Sequence, residues 1–321
     1  WASLAVTGYS GTYDGQEHGL KSADVAINEG SDLAQEYQKQ AKRFIKQGTI
    51  LYSADDGETW SDAAPKCKDA GIYPVKIKVD VTVDGQIKTL EASANIEIEP
   101  ATLTVTTPSD SRPYNGQPLT AAGTIEGFVN GETAGFATTG SQTAVGEGDN
   151  TYAIDWEAEG ATAKESNYKI VEKLGKLKVT PNTTSIVVTP KGGTKVYDGT
   201  PLESAGVDEV VGLPKGFTLT AEVVGSVTDA GYAKAAIESF VITNADGDDV
   251  TDQFANVATG EATLVVTPRP VTVASADATK VYNGTELVKH EAKVSDGELV
   301  EGEEFDYEFS GTQTDAGVSD N

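Results

Sequence analysis

The sequence predicts a mostly β protein: tandem small modules of the β-sandwich or β-grasp kind in an elongated array, with one amphipathic helix inserted in the first module. Apolar and polar residues alternate in short runs that turn signals separate, which is typical of strands. A tyrosine followed by Asp-Gly or Asn-Gly recurs, and both dipeptides favour the positive φ of a tight turn. One stretch has the apolar spacing of a helix. These patterns leave the β-sandwich and β-grasp topologies both open.

The recurring tyrosine motif identifies four sequence repeats. Its copies are spaced by 101, 83 and 85 residues and are centred on Tyr13, Tyr114, Tyr197 and Tyr282. Each complete repeat closes with an alternating strand that ends in proline, at Pro100, Pro181 and Pro268. Periods this long describe whole small domains instead of the units of a solenoid. The predicted modules are repeat 1 (1–100), repeat 2 (101–182), repeat 3 (183–268) and repeat 4 (269–321), the last without its closing strand.

Repeat 1 is predicted to contain a hairpin and the inserted helix. Residues 75–83 alternate apolar and polar side chains, and Asp84-Gly85 turns the chain back, so a half-buried strand enters a hairpin. Residues 32–47 are predicted to be helical, with a cap at Ser31 or Asp32 and an end at Gly48. We expect the apolar face of this helix to pack on the module through Leu33, Tyr37, Ala41, Phe44 and Ile45.

The candidate ligand-binding residues are basic and aromatic. The basic cluster on the predicted helix is either a solvated face near the negative helix end or a docking patch for an acidic partner, and it consists of Lys39, Lys42, Arg43 and Lys46. The aromatic candidates for contact with a host glycan or protein are Trp60, Trp156 and Tyr37. Trp60 has a second interpretation, as packing in the core or in a turn.

Repeats 2 to 4 share one scheme of short strands rich in threonine and glycine. Repeat 2 opens with a strand at 102–106 and closes with one at 175–180. Repeat 3 has clear strands at 217–224 and 240–243, and repeat 4 begins again at 271–273. Between repeats there is a proline and almost no linker. Because proline fixes φ and lacks a donor, these joints are predicted to be short and stiff.

The composition excludes several classes of function. Lysine and arginine number 24 and aspartate and glutamate 50, so the formal net charge is −26. Nucleic acid and anionic membranes both require a basic surface, and neither is expected as a partner. The charge suits a soluble rod that does not self-associate, so a monomer is expected. No apolar run is long enough for membrane insertion, and no signal peptide is present. The chain begins at Trp1 and contains no methionine, so we expect an excised piece of a longer protein.

No catalytic or metal-binding constellation is found in the sequence. The lone Cys67 has no zinc-site spacing around it, and His18 and His290 stand in unlike surroundings and are expected on the surface. The fingerprints of zinc proteases, serine hydrolases and nucleotide-binding proteins are missing. The acidic stretch 244–252 lacks the ligand spacing of a calcium loop, so a polar hairpin turn is favoured over a calcium site. Neither catalysis nor a cofactor is expected.

Together the repeated motifs resemble the Ig-like and MBG (mostly beta grasp) repeats of exported bacterial surface proteins, especially Gram-positive adhesins. Residues 195–202, 227–231 and 264–273 carry the resemblance, which covers 101–321 well and 1–100 more loosely. It implies an extracellular, often cell-wall-anchored location and a role as a stalk or adhesive module without catalysis.

Three classes of function follow from these observations. A structural stalk needs stiff joints and no pocket, which the proline joints favour. A binding module needs an exposed aromatic patch or a groove, and an enzyme needs converging titratable groups, of which the sequence has none. Related adhesin domains also carry Lys–Asn isopeptide cross-links, and Lys195 or Lys280 would be the lysine here. No acidic catalyst can be placed beside a specific Lys–Asn pair, so no cross-link is expected.

Overall fold

The structure is a computed structural model that describes residues 2–27, 45–83 and 85–320. The predicted mostly β architecture is confirmed in these ranges, which hold strands and three short 3₁₀ turns but no α-helix. The chain divides into two compact units, Trp1–Arg112 with Gln117–Thr180 and Pro113–Gly116 with Pro181–Asn321. The division into four modules stays a prediction.

Repeat 1 is built around one long antiparallel hairpin. Its strands are β1 (Ala2–Thr7), β2 (Tyr9–Thr12), β3 (His18–Gly19), β4 (Ser22–Ile27), β5 (Lys46–Gln47), β6 (Leu51–Ser53), β7 (Lys66–Cys67), β8 (Gly71–Val83) and β9 (Gln86–Glu99). β8 and β9 form the hairpin, and β2 pairs in parallel with β9. The predicted alternation is confirmed, because Val75, Ile77, Val79 and Val81 are all buried.

The described residues do not contain the helix predicted over residues 32–47. Its last two residues, Lys46 and Gln47, form strand β5, which pairs with Thr82 and Val81 of β8. The Gly48 N–H continues this pairing by donating to the Asp80 carbonyl over 2.8 Å. Hydrogen bonding to a neighbouring strand therefore overrides the helical apolar pattern here. The remainder of the predicted helix, 32–44, lies outside the described residues.

Repeat 2 forms two three-stranded sheets and a separate two-stranded ribbon. Its elements are β10 (Ala101–Thr106), β11 (Asp110–Pro113), β12 (Thr124–Glu126), η1 (Val129–Gly131), β13 (Gly135–Thr138), β14 (Gly146–Asp149), β15 (Tyr152–Asp155), η2 (Glu165–Asn167), β16 (Tyr168–Lys173) and β17 (Lys176–Thr180). The strand orders are β12-β10-β16, β11-β17-β14 and β13-β15. β10 and β16 run parallel, so the first and last parts of the repeat are neighbours.

Repeat 3 repeats this plan with longer strands. Its elements are β18 (Ile186–Pro190), β19 (Gly193–Val196), β20 (Leu202–Glu203), β21 (Val207–Val211), β22 (Thr218–Val224), β23 (Ser226–Val227), β24 (Gly231–Thr243), η3 (Thr251–Gln253), β25 (Val257–Thr259) and β26 (Glu261–Thr267). The two main sheets have the orders β21-β18-β25 and β19-β26-β24-β22. Ile186 and Val188 of one sheet and Ile242 and Leu264 of the other are fully buried. Repeat 3 is thus β-sandwich-like, with an apolar layer between two sheets.

Both ends of repeat 3 cross from one sheet to the other. The opening segment contributes β18 to the first sheet and β19 to the second, and the closing segment does the same with β25 and β26. β18 pairs in parallel with β25, and β19 pairs in parallel with β26. The opening and closing segments therefore run side by side through both sheets.

The described residues of repeat 4 contain two strands, β27 (Thr272–Ser275) and β28 (Ala292–Asp296). They pair antiparallel with a bulge between Thr272 and Val273. A single bridge between Leu287 and Gln313 is the other β pairing within the described part of this repeat. It corresponds to the bridge between Leu119 and Gln142 in repeat 2.

Candidate functional site: the repeat joints

The recurring motif forms a preorganised turn, which we call the tyrosine loop (13–15, 114–116, 197–199 and 282–284). The glycine of every copy has a positive φ between 73° and 77°, as the sequence predicts. In three copies a cation two residues before the tyrosine donates to the carbonyl five residues ahead. The bonds are Arg112 Nη2 to Gln117 O, Lys195 Nζ to Thr200 O and Lys280 Nζ to Thr285 O, each 2.5 Å. The two lysines considered for isopeptide bonds therefore hold their own loops closed.

In repeat 1 a histidine stands beside the tyrosine loop. His18 Nε2 lies 2.9 Å from Asp14 Oδ1, and the imidazole stacks on the Tyr9 ring at 4.2 Å. The hydrogen bond with His18 holds the pKa of Asp14 below its usual value.

The first tyrosine loop binds repeat 2 within the same compact unit. Tyr13 is 4 % exposed, and its hydroxyl donates to Glu132 Oε1 over 2.6 Å. Tyr168 donates to the other oxygen of that carboxylate, also over 2.6 Å, and the two rings meet edge to face at 5.7 Å. The side chain of Asn130 donates to the Asp14 carbonyl over 2.9 Å. The hydroxyl of Tyr13 therefore bonds a side chain of repeat 2 and not its own turn.

The electrostatics of this contact favour neutral phenols beside a carboxylate. Burial, and then the hydrogen bond to Glu132, raise the pKa of Tyr13 to about 12. The same two causes, with burial first, raise the pKa of Tyr168 beyond its ordinary range. Both hydroxyls therefore remain donors at neutral pH, and each oxygen of the Glu132 carboxylate is satisfied.

A second polar cluster reinforces the same joint. Asp69 of repeat 1 accepts hydrogen bonds from Lys164 Nζ over 2.7 Å and from Asn167 Nδ2 over 2.9 Å. Asn167 is buried, and its side-chain oxygen accepts the Ala70 N–H over 2.8 Å. The Lys164 hydrogen bond, followed by that of Asn167, lowers the pKa of Asp69, while Asp69 raises the pKa of Lys164. Lys164 is thereby held as an ammonium ion, which is not nucleophilic, although it lies beside an asparagine and an acid.

The second tyrosine loop belongs to the second compact unit and packs there on aromatic rings. Tyr114 is 3 % exposed and lies 5.8 Å from Phe217 and 5.9 Å from Phe254 between ring centroids. Asn182 Nδ2 donates to the Tyr114 carbonyl over 2.8 Å. An apolar contact here replaces the carboxylate that receives Tyr13.

The third tyrosine loop contacts repeat 4 in the second unit. The Tyr197 hydroxyl donates to the Glu303 carboxylate, and that hydrogen bond raises the pKa of Tyr197. Gly199 approaches Val300 so closely that an added Cβ would lie 2.7 Å from a Val300 methyl group. Three of the four tyrosine loops therefore contact the next repeat, each at the corresponding position of that repeat.

The receiving region, which we call the acceptor loop (127–132, 212–217 and 297–303), was missed by the sequence reasoning. Its first residue is Gly127, Gly212 or Gly297, which are 85 residues apart. All three have positive φ, and a Cβ on Gly127 would lie 2.4 Å from the Thr102 carbonyl oxygen. A second glycine follows four or five residues later in each copy. This spacing is the signal from which the acceptor loops could have been found.

Trp60 closes a tight hairpin turn. Its Nε1–H donates to the Gly57 carbonyl over 3.1 Å, and Lys78 Nζ lies 3.9 Å from its ring centroid. In the same turn, hydrogen bonds from Ser53 and Thr59 lower the pKa of Asp55 to about 2. Trp60 is thus occupied on its polar edge and on one face.

Trp156 joins the aromatic cluster at the joint between repeats 1 and 2. Its ring stacks on Tyr168 at 6.2 Å and meets Phe128 edge to face at 6.4 Å. It also lines an open groove with Tyr152, Ile154, Ile170, Glu172 and Leu174. Tyr152 donates to Glu172 in that groove over 2.5 Å.

Of the remaining predicted site residues, Lys46 lies within the described part of the chain. Lys46 is exposed on β5. Tyr37, Lys39, Lys42 and Arg43 lie outside the described residues. The ranges that the structure describes contain no group of three or more histidine, cysteine or acidic side chains placed to hold a metal ion. Nor do they contain a helix long and apolar enough to cross a membrane.

The acidic stretch 244–252 is closed by its own hydrogen bonds. Asn244 Oδ1 accepts the N–H groups of Asp246 and Asp248 over 3.0 and 2.9 Å. Asp249 Oδ1 accepts both the N–H and the hydroxyl of Thr251, over 2.9 and 2.6 Å. The stretch is arranged as the polar hairpin turn that the sequence favours.

Comparisons with known proteins give no family. No family model matches the chain, and no curated protein matches it. Among solved structures, the chain is similar to the CbhA fibronectin(III)-like modules of Clostridium thermocellum, with 7 % identity, a TM-score of 0.19, and coverage of 84 % of this chain and 95 % of that one. It is also similar to a SusE-like surface-located polysaccharide-binding protein from the heparin utilisation locus of Bacteroides thetaiotaomicron, with 9 % identity, a TM-score of 0.18, and coverage of 84 % and 54 %. These scores are too low to support an inference about this chain.

Proposed function

We propose that this chain is a non-catalytic repeat region of an exported bacterial cell-surface protein, which acts as a stiff stalk or adhesin segment. Repeats 1 to 4 would be successive modules of the Ig-like or MBG kind, on the surface of a Gram-positive cell and anchored to its wall through other regions. The observation that carries the proposal is the Tyr13–Glu132–Tyr168 contact with its 2.6 Å hydrogen bonds. A buried and fully hydrogen-bonded joint resists bending, because any hinge motion breaks charge-assisted bonds.

The stiffness of the joint can be measured between two spin labels in the first compact unit. Glu91 and Glu157 are exposed and lie in repeats 1 and 2, and they can be changed to cysteine in a Cys67→Ser background. We expect a narrow distance distribution for this chain and a broad one when Tyr13→Ala is added. Tyr232→Ala is the matched control, because that tyrosine is 79 % exposed and lies in another unit. An equally broad distribution with and without Tyr13 would refute a stiff joint.

A second candidate function is the binding of a host glycan or protein, through repeat 1 or through exposed aromatic side chains; Tyr152 and Trp156 are the partly exposed examples in repeat 2. The observation that favours it is the open groove that Trp156 and Tyr152 line beside Glu172. A glycan array probed with the chain and with Tyr152→Ala tests this function. If the Tyr152→Ala chain gives the same glycan-binding signal as the unsubstituted chain, the groove is excluded as the binding site. Trp60→Ala, in repeat 1, serves as the comparison.

A further inference from the structure

Strand β16 lies at the edge of its sheet in repeat 2. It pairs in parallel with β10 on one side, and no strand of the described residues pairs with its other side. The Lys173 carbonyl accepts the Thr107 N–H over 3.0 Å, at the end of β10. Because the backbone groups of a strand alternate in direction, Val171 also faces β10, whereas the N–H and C=O groups of Ile170 and Glu172 face away from it. β16 therefore offers backbone donors and acceptors to another extended chain.

A difference between repeats 2 and 3 opens a groove beside this edge. Repeat 3 has one continuous strand, β24, where repeat 2 has β14 and β15. The break lies at Asn150, whose buried side chain donates to the carbonyl groups of Pro108 and Ala121 over 3.0 and 2.9 Å. Beyond Asn150 the chain leaves the sheet of β14, and β15 pairs with β13. The groove that Tyr152 and Trp156 line lies between β15 and β16.

The inner face of β16 continues into the groove. Ile170 pairs with Leu103, which is fully buried, so both side chains lie on the inner face of the sheet. Glu172 lies two positions further along on the same face, and its carboxylate accepts the Tyr152 hydroxyl over 2.5 Å. Ile170 is 36 % exposed and borders the groove together with Leu174, which is 40 % exposed. A strand added at this edge would therefore place apolar side chains in the groove at alternate positions.

The outer face of β16 is basic. Successive side chains alternate between faces, so Lys169 and Lys173 lie on the outer face on either side of Val171. Both lysines are exposed, and the ion pairs among the described residues include neither of them. Acidic side chains on a neighbouring strand would pair with these lysines, whereas a second copy of β16 would bring lysine against lysine. The charge therefore favours an acidic partner over a second copy of this chain.

We propose that the edge of β16 binds an extended segment of a partner protein in which apolar and acidic residues alternate. Backbone hydrogen bonds to Ile170 and Glu172 would provide affinity. Apolar side chains of the segment would enter the groove, and its acidic side chains would pair with Lys169 and Lys173, which provides specificity. This inference rests on the second candidate function, because it names the kind of ligand that the groove would take.

Amide hydrogen exchange of the full chain, measured by NMR, tests this proposal residue by residue. The probe is a synthetic peptide with the sequence of residues 94–99 of this chain, in which isoleucine and glutamate alternate. With the peptide at ten times its Kd, exchange of the Ile170 and Glu172 N–H groups should slow about tenfold. The Val171 N–H faces β10 and should show no change.

Two variant peptides test the side-chain contacts and cannot affect the folding of the chain. Ile96→Ser with Ile98→Ser removes the apolar side chains, and Glu97→Lys with Glu99→Lys reverses the charge. Each variant should bind about tenfold more weakly than the parent peptide. Equal binding by either variant, or no binding of the parent peptide at millimolar concentration, would overturn the proposal.

Two variant chains test the outer face of β16. A chain with Lys169→Glu and Lys173→Glu should bind the peptide about tenfold more weakly. Lys178→Glu is the matched control, because that lysine is exposed on β17 of the same repeat, and it should leave the affinity unchanged. Equal affinities of the two variant chains would show that the lysines do not contribute, against the proposal.

The outcome can be separated from that of the second candidate function. Glycan binding that Tyr152→Ala abolishes, with no peptide protection at Ile170, would leave the second candidate function standing and overturn this inference. Peptide protection at Ile170 and Glu172 without a glycan signal would support a protein ligand. Slowed exchange elsewhere in the chain but not at these two residues would show that the peptide binds another surface, which also overturns the inference.

Discussion

Removal of one hydroxyl group should measure the strength of the joint between repeats 1 and 2. Tyr13→Phe keeps the buried ring and its edge-to-face contact with Tyr168 but deletes the 2.6 Å hydrogen bond to Glu132. A hydrogen bond to a charged group contributes about 1.5–3 kcal/mol. Glu132 is half-buried and keeps its bond from Tyr168, so the free energy of unfolding should fall by about 1–2 kcal/mol. Tyr13→Ala also removes the ring and should cost about 3–5 kcal/mol.

The assay is urea denaturation of the full chain, followed by hydrogen exchange in residues 1–180. A double-mutant cycle of Tyr13→Phe with Glu132→Gln isolates the pairwise coupling, and Tyr232→Phe is the exposed control. Alkaline pH provides an independent check. Since the pKa of Tyr13 is raised to about 12, its contribution is present below the unfolded value of about 10 and is lost as pH rises through 12. A coupling energy near zero together with an unchanged alkaline transition would refute the reasoning.

Three further outcomes are expected. Asp69→Asn should remove part of the acid sensitivity of the first unit. Because Lys164 lowers the folded-state pKa of Asp69, the contribution of Asp69 to the free energy of unfolding is present above the unfolded pKa of about 3.9 and is lost as pH falls through the folded pKa. Denaturation measured between pH 2 and 5 will show this. Gly127→Ala should lower the melting temperature more than Gly206→Ala. Both glycines have a φ of 110°, but only at Gly127 would the added Cβ meet a carbonyl oxygen, at 2.4 Å. Equal losses in the two variants would contradict the steric explanation. Leu264→Ala should cost about 2–5 kcal/mol in urea denaturation since the side chain is fully buried, and a loss below about 1 kcal/mol would show that the site collapses around the cavity.

Local patterns predicted the strands of this chain well. The alternation at 75–83 and the Asp-Gly and Asn-Gly turns are determined by neighbouring residues, and the structure has them as the sequence predicts. The prediction of a helix reaching Gln47 was wrong because the partner of that residue, Val81, is 34 positions away. The residue pattern within a short window of sequence does not show a pairing partner that far along the chain.

The candidate site depended on contacts of still longer range. Tyr13 was recognised as part of a repeated motif, but its partner Glu132 is 119 residues away. The acceptor loops vary at the position that receives the tyrosine, with Glu132, Phe217 and Glu303 as successive examples. A comparison of side-chain chemistry therefore does not align them, whereas the glycine spacing does. Backbone geometry is repeated more strictly here than the chemistry of the contact.

The parallel pairing of opening and closing segments has a mechanical consequence. In repeat 3, β18 runs parallel to β25, and β19 runs parallel to β26. Tension applied at the start of β18 and the end of β26 pulls these paired strands along their own length in opposite senses. The interstrand hydrogen bonds are then loaded together in shear and do not open one after another from an end. Rupture must break several bonds in one event, so such a repeat would hold a pulling force that would unzip a hairpin of the same length.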